Sequence, residues 1–588
     1  MLAMPSLVVR VTTPLHSFTM SCNMRVRPLL LTSAPILFLA ILAQVIQAQE
    51  AKPAATIQLD PTATLLDAKA LYRKGSFDQS LARYNEVLKA DPHSGDAYAG
   101  IIRCYLKQDR VHEADDAVRK GLLADPAHPD LKVAEGELLF RQGEIPEAGA
   151  LFNEVITTPP SPAESNVPPN ARAYLGAALV ARSSAMYARE HILITRAHAI
   201  DPSDLDVQKE WMLALPTADR IRLLEDYLGR NTNDDAETRR TLKEHLDFLK
   251  ASQFAQSGRC RMVSDVTSTE TNLIPLQSRS GNVQGTGLQV MINGQDSRLL
   301  LDTGASGILI TSKLASLAGL KTVSDIRMTG VGDKPDIQGH VTYANSVRIG
   351  KLEFQNCQVH VVDRLQTADD GIIGTDVFSQ FLIEMDFPRS TLRLNPLPPR
   401  PGETPAKASL KTSDEDLAED PEAKPSGDAG AAPQSKASTA NYSDRYIAPE
   451  MHSYVQTFRI GHMLLVPTKI NEGSEKLFLL DSGSFDNTLA LDTAQEITKV
   501  HRAPRIDVKG INGDVKKVYV ADRVVLDFGH LRQTVPNIVA IDMSRVSRQA
   551  GTEVSGTLGM VMLRLLKVRL DYRDALADFQ YAPQPARH

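Results

Sequence analysis

The sequence predicts a multidomain α and β protein, in which an amino-terminal α-solenoid is followed by two mainly-β modules. The chain has 588 residues, which is more than one hydrophobic core usually supports. Apolar residues recur at three- and four-residue spacing over residues 60–250, as in packed helices. They alternate with polar residues over residues 265–396 and again over 446–583, as in half-buried strands. The predicted domains are therefore one helical region and two β-modules, with residues 397–445 between the modules.

The first residues have the features of a secretory signal peptide. The basic segment Met24–Arg27 precedes an apolar run from Leu29 to Ile46, and small or polar residues follow the run. We therefore predict that residues 1–48 form a signal peptide, with Met24 as an alternative start of translation, and that the protein is exported to the periplasm or the extracellular space. The run is also near the lower length limit of a membrane span. An uncleaved signal that anchors the protein to the inner membrane is therefore the alternative.

Charge and cysteine content argue against several classes of site. The formal net charge of -6 gives no basic footprint for nucleic acid, so no nucleic-acid partner is expected. Cys104, Cys260 and Cys357 are scattered along the chain and form neither a disulfide framework nor a set of metal ligands. We expect them to be small buried residues, with a Cys260–Cys357 bridge as the alternative in an oxidising compartment. No metal and no cofactor is predicted.

A regular break runs through the helical region. Pro92, Pro126 and Pro160 lie 34 residues apart, and Pro202 follows after one further repeat and a short insertion. Proline ends a helix because it lacks the backbone N–H, and a 34-residue period with such breaks matches the tetratricopeptide repeat. A plain helical bundle is the alternative. Stacked repeats of this kind present an extended surface, so we predict that the region docks a protein partner.

Two aspartates stand at the ends of apolar strands. Asn293-Gly294 separates two alternating segments and is typical of a tight hairpin turn, so Asp302 is expected at the end of the second strand. Asp481 follows a similar apolar run. A hydroxyl residue and then a glycine follow each aspartate, as Asp302-Thr303-Gly304 and Asp481-Ser482-Gly483.

The two modules share the order of their parts, which indicates an internal duplication. After each aspartate comes a short helix candidate, then a glycine-rich hairpin tip, then an apolar segment that contains glycine. The tip begins 28 residues after the aspartate in the first module and 29 residues after it in the second. These parts are the helix candidates 312–320 and 491–500, the tips Gly330–Asp333 and Gly510–Asp514, and the segments Asp370–Asp376 and Ser555–Gly559.

In these features the modules resemble the pepsin and retropepsin class of aspartic peptidases. Each half of such an enzyme supplies an apolar-Asp-Thr/Ser-Gly segment, a flap hairpin and an apolar segment with glycine. The likeness covers roughly residues 281–395 and 454–582. Together with the repeats, the chain resembles bacterial tetratricopeptide proteins fused to tandem retropepsin-like domains. The fold that this resemblance implies is an α-solenoid followed by two mainly-β retropepsin-like acid-protease half-barrels.

The resemblance also implies the residues of a site. Asp302 and Asp481 would be the catalytic pair, in which two close carboxylates share one proton, so that one activates a water and the other polarises a peptide carbonyl. Their loops would be held by hydroxyl bonds across the two modules and by tight glycine turns, with Ser484 placed to bond its own carboxylate. The loop residues are Thr303, Gly304, Ser482, Gly483 and Ser484. The flap residues that close over a substrate are Gly330, Val331, Gly332, Gly510, Ile511 and Gly513.

The second module departs from the first at two positions. Asp376, the polar residue after the first apolar segment, corresponds to Val561, so a charged contact between modules at Asp376 would be one-sided. Asp486 lies five residues after Asp481, where the first module has Gly307. The second module is therefore the more divergent copy.

The segment between the modules is predicted to be a disordered linker. Residues 397–445 are rich in Pro, Ala, Ser, Lys, Glu and Asp, and they contain few large apolar residues. Such a tether lets the two modules pair within one chain as a pseudodimer. The alternative is that each module pairs with a second chain in a homodimer.

The function that the sequence favours is an exported aspartic endopeptidase whose repeats dock a protein partner or substrate. A catalytically degenerate scaffold that binds an extended peptide in the same cleft is the main alternative. A repeat-driven assembly protein that carries the β-modules as passengers is a third. The presence of both Asp-Thr/Ser-Gly triplets favours the enzyme, and the sequence has no zinc-protease motif, phosphate-binding loop or Gly-x-Ser-x-Gly elbow.

Overall fold

The computed structural model describes residues 60–158, 169–230, 236–254, 260–277, 283–328, 330–365, 370–401 and 444–582. The predicted signal peptide and residues 402–443 of the predicted linker lie outside these ranges. Within them, no helix is both long enough and apolar enough to cross a membrane. The described chain has two parts, a helical region and a β-region.

The helical region is built from consecutive helices that pack in pairs. They are α1 (Pro61–Arg73), α2 (Phe77–Ala90), α3 (Gly95–Lys107), α4 (Val111–Ala124), α5 (Pro129–Arg141), α6 (Ile145–Thr157), α7 (Ala171–Ser183), α8 (Tyr187–Ile200), α9 (Leu205–Leu213), α10 (Thr217–Arg230) and α11 (Ala236–Phe254). The first three pairs begin at Pro61, Gly95 and Pro129, which are 34 residues apart. This spacing is the period that the prolines predict, and the prediction of a helical-repeat region is confirmed.

Small residues let helices of this region approach one another closely. A side chain at Gly100 in α3 would place its Cβ 2.1 Å from Cζ of Tyr84 in α2. One at Gly176 in α7 would place its Cβ 2.3 Å from Cζ of Phe152 in α6. Both aromatic side chains are buried. Neighbouring helix pairs therefore share interior packing that no pair could form alone.

Two sets of strands follow the helices. The first set is β1 (Arg261–Met262), β2 (Thr269–Gln277), β3 (Val283–Ile292), β4 (Gln295–Asp302), β5 (Ile308–Thr311), α12 (Ser312–Leu317), β6 (Thr322–Met328), β7 (Ile337–Ala344), β8 (Val347–Ile349), β9 (Leu352–Gln355), β10 (Cys357–Val362), β11 (Gly371–Gly374), a 3-10 helix (Thr375–Phe378), β12 (Phe381–Asp386) and β13 (Thr391–Pro396). The second set is a 3-10 helix (Pro449–Met451), β14 (Val455–Gln456), β15 (Phe458–Ile460), β16 (Met463–Ile470), β17 (Glu475–Leu480), β18 (Thr488–Ala490), α13 (Leu491–Ile497), β19 (Val500–Arg502), β20 (Val508–Gly510), β21 (Gly513–Val515), β22 (Tyr519–Ala521), β23 (Val524–Phe528), β24 (Leu531–Val535), β25 (Ile538–Ile541), α14 (Ser544–Ala550), β26 (Gly556–Leu558), α15 (Met560–Leu563), β27 (Leu566–Asp571) and β28 (Leu576–Tyr581).

The local predictions for the β-region hold in outline. Asn293 and Gly294 have φ angles of 48° and 84°, the left-handed conformation of the predicted hairpin turn between β3 and β4. Both predicted helices are shorter than expected. Helix α12 ends early because Gly319, with a φ of 64°, turns the chain out of the helix. Helix α13 ends before extended Thr498, and Val500 already begins a strand.

Strands of the two modules join in one sheet. β12 of the first module pairs antiparallel with β27 of the second, with Ile383 opposite Leu570 and Met385 opposite Val568. The order across this part of the sheet is β14-β28-β27-β12-β13-β2. Ile383, Val568 and Leu570 are fully buried in the largest apolar core, which contains residues of both modules. Backbone hydrogen bonds and a shared core thus hold the modules together.

The helical region packs against the second module. Ile145 of α6 is fully buried in an apolar cluster that also contains Met463 and Leu477. Beside it, the N–H of Glu553 donates to the carbonyl of Arg141 at 2.9 Å. The repeats are therefore fixed to this module by both apolar and polar contacts.

Two of the three cysteines form a disulfide. Cys260 and Cys357 are bonded across 97 residues of sequence, and Cys104 is a free buried thiol. β1 pairs with β9, with Arg261 opposite Gln355, and this pairing brings the two bonded cysteines together. All three cysteines are buried, as expected, and Cys260 and Cys357 form the bridge that was stated as the alternative.

Candidate active site

The carboxylate of Asp302 lies where β4 ends and the chain turns. β4 runs parallel to β11, with Asp302 opposite Gly374. The preceding Leu299 and Leu301 are fully buried, whereas Asp302 is half-buried. The N–H of Gly304 donates to Asp302 Oδ1 at 2.8 Å. The buried strand thus presents a fixed carboxylate at the edge of the core.

Asp481 has the same place in the second module. It follows β17, which runs parallel to β26, and its Oδ1 accepts the N–H groups of Gly483 at 3.0 Å and Ser484 at 3.1 Å. Ser484 bonds its own carboxylate, as the resemblance implies, and it does so through its backbone N–H. The hydroxyl donates to the carbonyl of Asp486 at 3.0 Å, because the turn directs the backbone N–H of Ser484, rather than its side chain, toward Asp481.

The two aspartates meet in one site. Their carboxyl groups lie close together, since a Cβ at Gly304 would be 3.0 Å from Asp481 Oδ1 and 3.3 Å from Asp302 Oδ1. A side chain at Gly483 would place its Cβ 2.3 Å from Asp302 Oδ2. The glycine that follows each hydroxyl residue therefore makes room for the carboxylate of the opposite module.

Hydroxyl groups lock the two loops together. Thr303 Oγ1 donates to the carbonyl of Leu480 at 2.7 Å and accepts the N–H of Ser482 at 2.8 Å. Ser482 Oγ donates to the carbonyl of Leu301 at 2.8 Å and accepts the N–H of Thr303 at 3.0 Å. Both side chains are buried. This reciprocal exchange holds the carboxylates in fixed relative positions.

We expect Thr303→Val to destabilise the protein. The substitution removes the hydroxyl at nearly constant shape and leaves the buried N–H of Ser482 and the carbonyl of Leu480 without this partner. The free energy of unfolding should fall by about 1–3 kcal/mol for each group left unpaired, measured by urea denaturation. Thr303→Ser keeps the hydroxyl and should retain most of the stability. Stability that is kept in Thr303→Val but lost in Thr303→Ser would show that the methyl group, rather than the hydroxyl exchange, stabilises the loops.

The environment of the pair changes its acidity. Burial raises the pKa of Asp302, against the opposing hydrogen bond from the Gly304 N–H. Burial also raises the pKa of Asp481, and the negative charge of Asp302 raises it further. Two close carboxylates cannot both ionise at low cost, so the pair keeps one proton at a pH where an isolated aspartate has lost its own.

We expect stability to report this shared proton. The carboxyl pKa values are raised in the folded state, so the fold binds more protons than the unfolded chain does above about pH 4. The contribution of the pair to stability is therefore full at low pH and is lost as the pH rises through the folded pKa. Asp302→Asn leaves a single carboxyl group in the site, so the repulsion between two carboxylates is removed. The melting temperature of the variant minus that of the unsubstituted protein should therefore become more positive from pH 4 to pH 8, as measured by calorimetry. A constant difference across this range would contradict the raised pKa values.

The predicted flap residues come together as two interlocked tips. The N–H of Asn512 donates to the carbonyl of Val331 at 2.9 Å, and the N–H of Lys334 donates to the carbonyl of Asn512 at 3.0 Å. Gly332 has a φ of 131°, and a Cβ there would lie 2.4 Å from the Asn512 carbonyl carbon. The other predicted flap glycines lie in the same contact, with Gly330 against Ile511, Gly510 against Val331 and Gly513 against Lys334.

The flap tips reach the strands that carry the aspartates. Ile511, from the second module, packs in an apolar cluster with Leu300 and Ala305 of the first, which flank the Asp302 loop. Asn512, which sequence reasoning missed, is 1% exposed, and its side-chain amide donates to the carbonyl of Pro335 at 2.9 Å. Its position inside a glycine-rich tip was the only available signal.

A second missed residue explains the difference between Asp376 and Val561. Asp376 is buried and accepts the N–H of Gly307 at 3.0 Å, so it supports the loop of its own module. In the second module, Asn487 Oδ1 accepts the N–H of Gly559 at 2.8 Å. In the second module a neutral amide on the loop thus accepts from the supporting segment, whereas in the first module a carboxylate on the supporting segment accepts from the loop.

Chemically, the arrangement offers one paired acid and base beneath a cover of two hairpins. Within the residues that the structure describes, no group of three or more His, Cys, Asp or Glu side chains could hold a metal ion.

Family models match three segments of the chain. An aspartyl protease model matches residues 288–377, which include Asp302 and the segment that supports it. Two tetratricopeptide repeat models match residues 71–132 and 105–164. The fungal General transcriptional corepressor ssn6 of Schizosaccharomyces pombe is 31% identical over 101 residues, which is 17% of this chain and 9% of that protein. The chain thus spans less than a tenth of that relative.

Solved structures resemble each part separately. A retropepsin-like aspartic protease from Rickettsia conorii is 24% identical, with 23% of this chain and 94% of that chain covered and a TM-score of 0.17. A Pseudomonas aeruginosa pilF structure is 16% identical, with coverage of 33% and 86% and a TM-score of 0.24. PilW, a type IV pilus biogenesis factor, is 18% identical, with coverage of 33% and 88% and a TM-score of 0.24. The family matches thus cover part of the helical region, which is similar to tetratricopeptide repeats, and part of the first β-module, which is similar to aspartyl proteases.

Proposed function

We propose that the protein is an exported aspartic endopeptidase in which Asp302 and Asp481 together activate a water molecule. The observation that carries the proposal is the close approach of two carboxyl groups, one from each module, on either side of Gly304 and Gly483. Their raised pKa values favour the state with one shared proton, which is the state that this chemistry needs. The match of residues 288–377 to an aspartyl protease model agrees with this function.

In the proposed mechanism the pair acts as base and acid in turn. The ionised carboxylate takes a proton from a water, whose oxygen attacks the carbonyl carbon of the peptide. The protonated carboxyl donates its proton to the carbonyl oxygen, and a tetrahedral diol forms. The diol then collapses, a proton passes to the leaving nitrogen, the C–N bond breaks, and the pair again holds one proton. The proton belongs to the pair, so neither aspartate is assigned a permanent role.

The proposed active unit is a pseudodimer of two tandem modules, residues 265–396 and 446–583, within one chain. The sheet contact of β12 with β27 supports this pairing. So does a hydrogen bond at 2.6 Å between the hydroxyls of Thr375 in the first module and Tyr572 in the second, both fully buried. A homodimer would have to replace these buried contacts by equivalent contacts between chains.

The repeats are proposed to dock a protein partner or substrate. Supporting this, helices of the repeat region line a cavity of about 590 Å³. Charged side chains form much of its lining, including Lys69, Arg103, Arg172 and Asp206. Several of them are ion-paired, as in the contact of Arg103 with Asp130 at 2.8 Å. This polar surface suits a peptide segment that carries charges of its own.

Export remains part of the proposal. Its support is the Cys260–Cys357 disulfide, because such bonds persist mainly in oxidising compartments outside the cytosol. Fractionation of cells that express the full chain, with sequencing of the mature amino terminus, would test both export and signal cleavage.

The activity test is cleavage of an unfolded protein by the purified chain at acidic pH. Cleavage should yield internal peptide fragments and should stop when a pepstatin-like inhibitor is present, since such inhibitors bind an aspartic pair. Sedimentation of the active species should give the mass of one chain if the pseudodimer is correct. Binding of the unfolded protein without cleavage would favour a degenerate peptide-binding scaffold instead.

A further inference from the structure

The two halves of the site differ in the side chains that lie beside the carboxylates. Strand register makes the halves comparable position by position. In the first module Ile372 lies opposite Leu300 on one side and Leu309 on the other. In the second module Thr557 lies opposite Leu479 and Thr488 in the same way. Two aliphatic positions of the first half are therefore threonines in the second.

In the first module these positions face the flap rather than the main core. Their strand neighbours Leu299, Leu301 and Ile373 belong to the largest apolar core. Leu300, Leu309 and Ile372, on the alternate face, form a separate cluster with residues of the flap strands, Met328 and Ile337. Residues 300, 309 and 372 thus form a wall between the Asp302 loop and the flap, which we call the aliphatic wall.

The side chain of Ile511 covers the aliphatic wall in this structure. Ile511, at the flap tip of the second module, packs against this cluster. The three wall residues are only 3%, 6% and 5% exposed in this closed arrangement. Lifting the flap would withdraw Ile511 and uncover a surface shaped for a branched aliphatic side chain.

The matching wall of the second module is partly polar. The hydroxyls of Thr488 and Thr557 are hydrogen-bonded to each other at 2.8 Å, and both residues are 6% exposed. Their mutual bond uses one of two hydroxyl hydrogens, so the pair can still donate and accept. We call these two residues the hydroxyl wall. Leu479 lies beside them at the position that corresponds to Leu300, and this position is apolar in both modules.

We infer that the two walls give the cleft unequal specificity, with a branched aliphatic side chain bound on the first-module side of the cleaved bond and a hydroxyl or amide side chain on the second. This inference rests on the proposed peptidase function and names its substrate class. A polar side chain on the aliphatic wall would lose its hydrogen bonds to water without replacement. An aliphatic side chain on the hydroxyl wall would leave the threonine hydroxyls without the partner that a polar side chain supplies.

The physical size of the effect is measurable. One methylene or one unmatched polar group in a specificity site changes kcat/KM by about 10-fold or more. Cleavage sites in a peptide library should therefore show Ile, Leu or Val enriched on one side of the bond and Ser, Thr, Asn or Gln on the other. A cleavage profile alone does not say which module binds which side of the cleaved bond. Variants of one module at a time assign each preference to its module.

The variants exchange the chemistry of one wall at a time. The isosteric pair Thr488→Val with Thr557→Val removes both hydroxyls at nearly constant shape and should lower the preference for polar residues by about 10-fold in kcat/KM. The aliphatic preference on the other side should not change. The matched change Leu309→Thr with Ile372→Thr should weaken that preference and leave the polar one intact. If a double variant does not fold, the single variants Thr488→Val and Leu309→Thr give the same comparison.

The outcomes separate this inference from the function beneath it. If peptides are cleaved but the residue profiles on the two sides are alike, or if the valine variant leaves the profile unchanged, the specificity inference is wrong while the peptidase function stands. If nothing is cleaved, the peptidase function fails. Binding of the same peptides to the full chain, followed by fluorescence anisotropy, then decides whether the walls still discriminate, and equal affinities would overturn the inference.

Discussion

Asp302→Asn and Asp481→Asn should each reduce kcat/KM for an unfolded protein substrate by about 100-fold to 10⁴-fold, the range expected when a general acid or base is removed. Each substitution keeps the size of the side chain but removes the carboxyl group that must hold or give up the shared proton. Both variants should lose kcat/KM, because the shared proton belongs to the pair and not to one aspartate. Both variants should remain folded, since they remove a repulsion between carboxylates.

The matched control is Asp296→Asn. Asp296 lies on the same strand β4 as Asp302, at the hairpin end, and is exposed. This variant should keep full activity, so a loss seen in Asp302→Asn cannot be ascribed to a general change in the strand. Full activity in Asp481→Asn would rule out a pair formed within one chain. Equal loss of activity and of secondary structure in the active-site variants would show that they act on folding instead.

The periodicity of the sequence is enough to predict the fold class. The spacing of Pro92, Pro126 and Pro160 predicts the helix pairs because a proline must end each second helix. The hairpin that ends at Asp302 follows from Asn293-Gly294, whose backbone conformation is local. Such features depend only on neighbours in sequence, which is why they could be predicted without a structure.

Features that depend on distant contacts could not be predicted in the same way. The hydroxyl exchange of Thr303 with Ser482 was expected only from the family resemblance. Asn512 and Asn487 were missed because an asparagine in a loop is common. Their role appears only when a backbone group from elsewhere comes within hydrogen-bond distance.

The two modules also differ in the chemistry of the side chains that support the carboxylates. Where the first module uses the carboxylate of Asp376 and aliphatic residues, the second uses the amide of Asn487 and the hydroxyls of Thr488 and Thr557. A symmetric homodimer would present the same chemistry on both sides of the carboxylates. Two modules in one chain can instead differ in sequence, and so they can present different chemistry on the two sides of the carboxylates.

Loss of the Cys260–Cys357 disulfide should lower the free energy of unfolding by about 2–5 kcal/mol. The bond closes a loop of 97 residues in the first module and restricts the unfolded chain over that length. We expect Cys260→Ala with Cys357→Ala to show this loss in urea denaturation and to be insensitive to added reductant. The unsubstituted protein should lose the same stability when reductant is present during unfolding.

Cys104→Ala is the control, since this buried thiol lies outside the bridge and its variant should keep the sensitivity to reductant. Free thiol detected at Cys260 or Cys357 in the folded, oxidised protein would contradict the bridge, and equal stability with and without reductant would contradict its contribution.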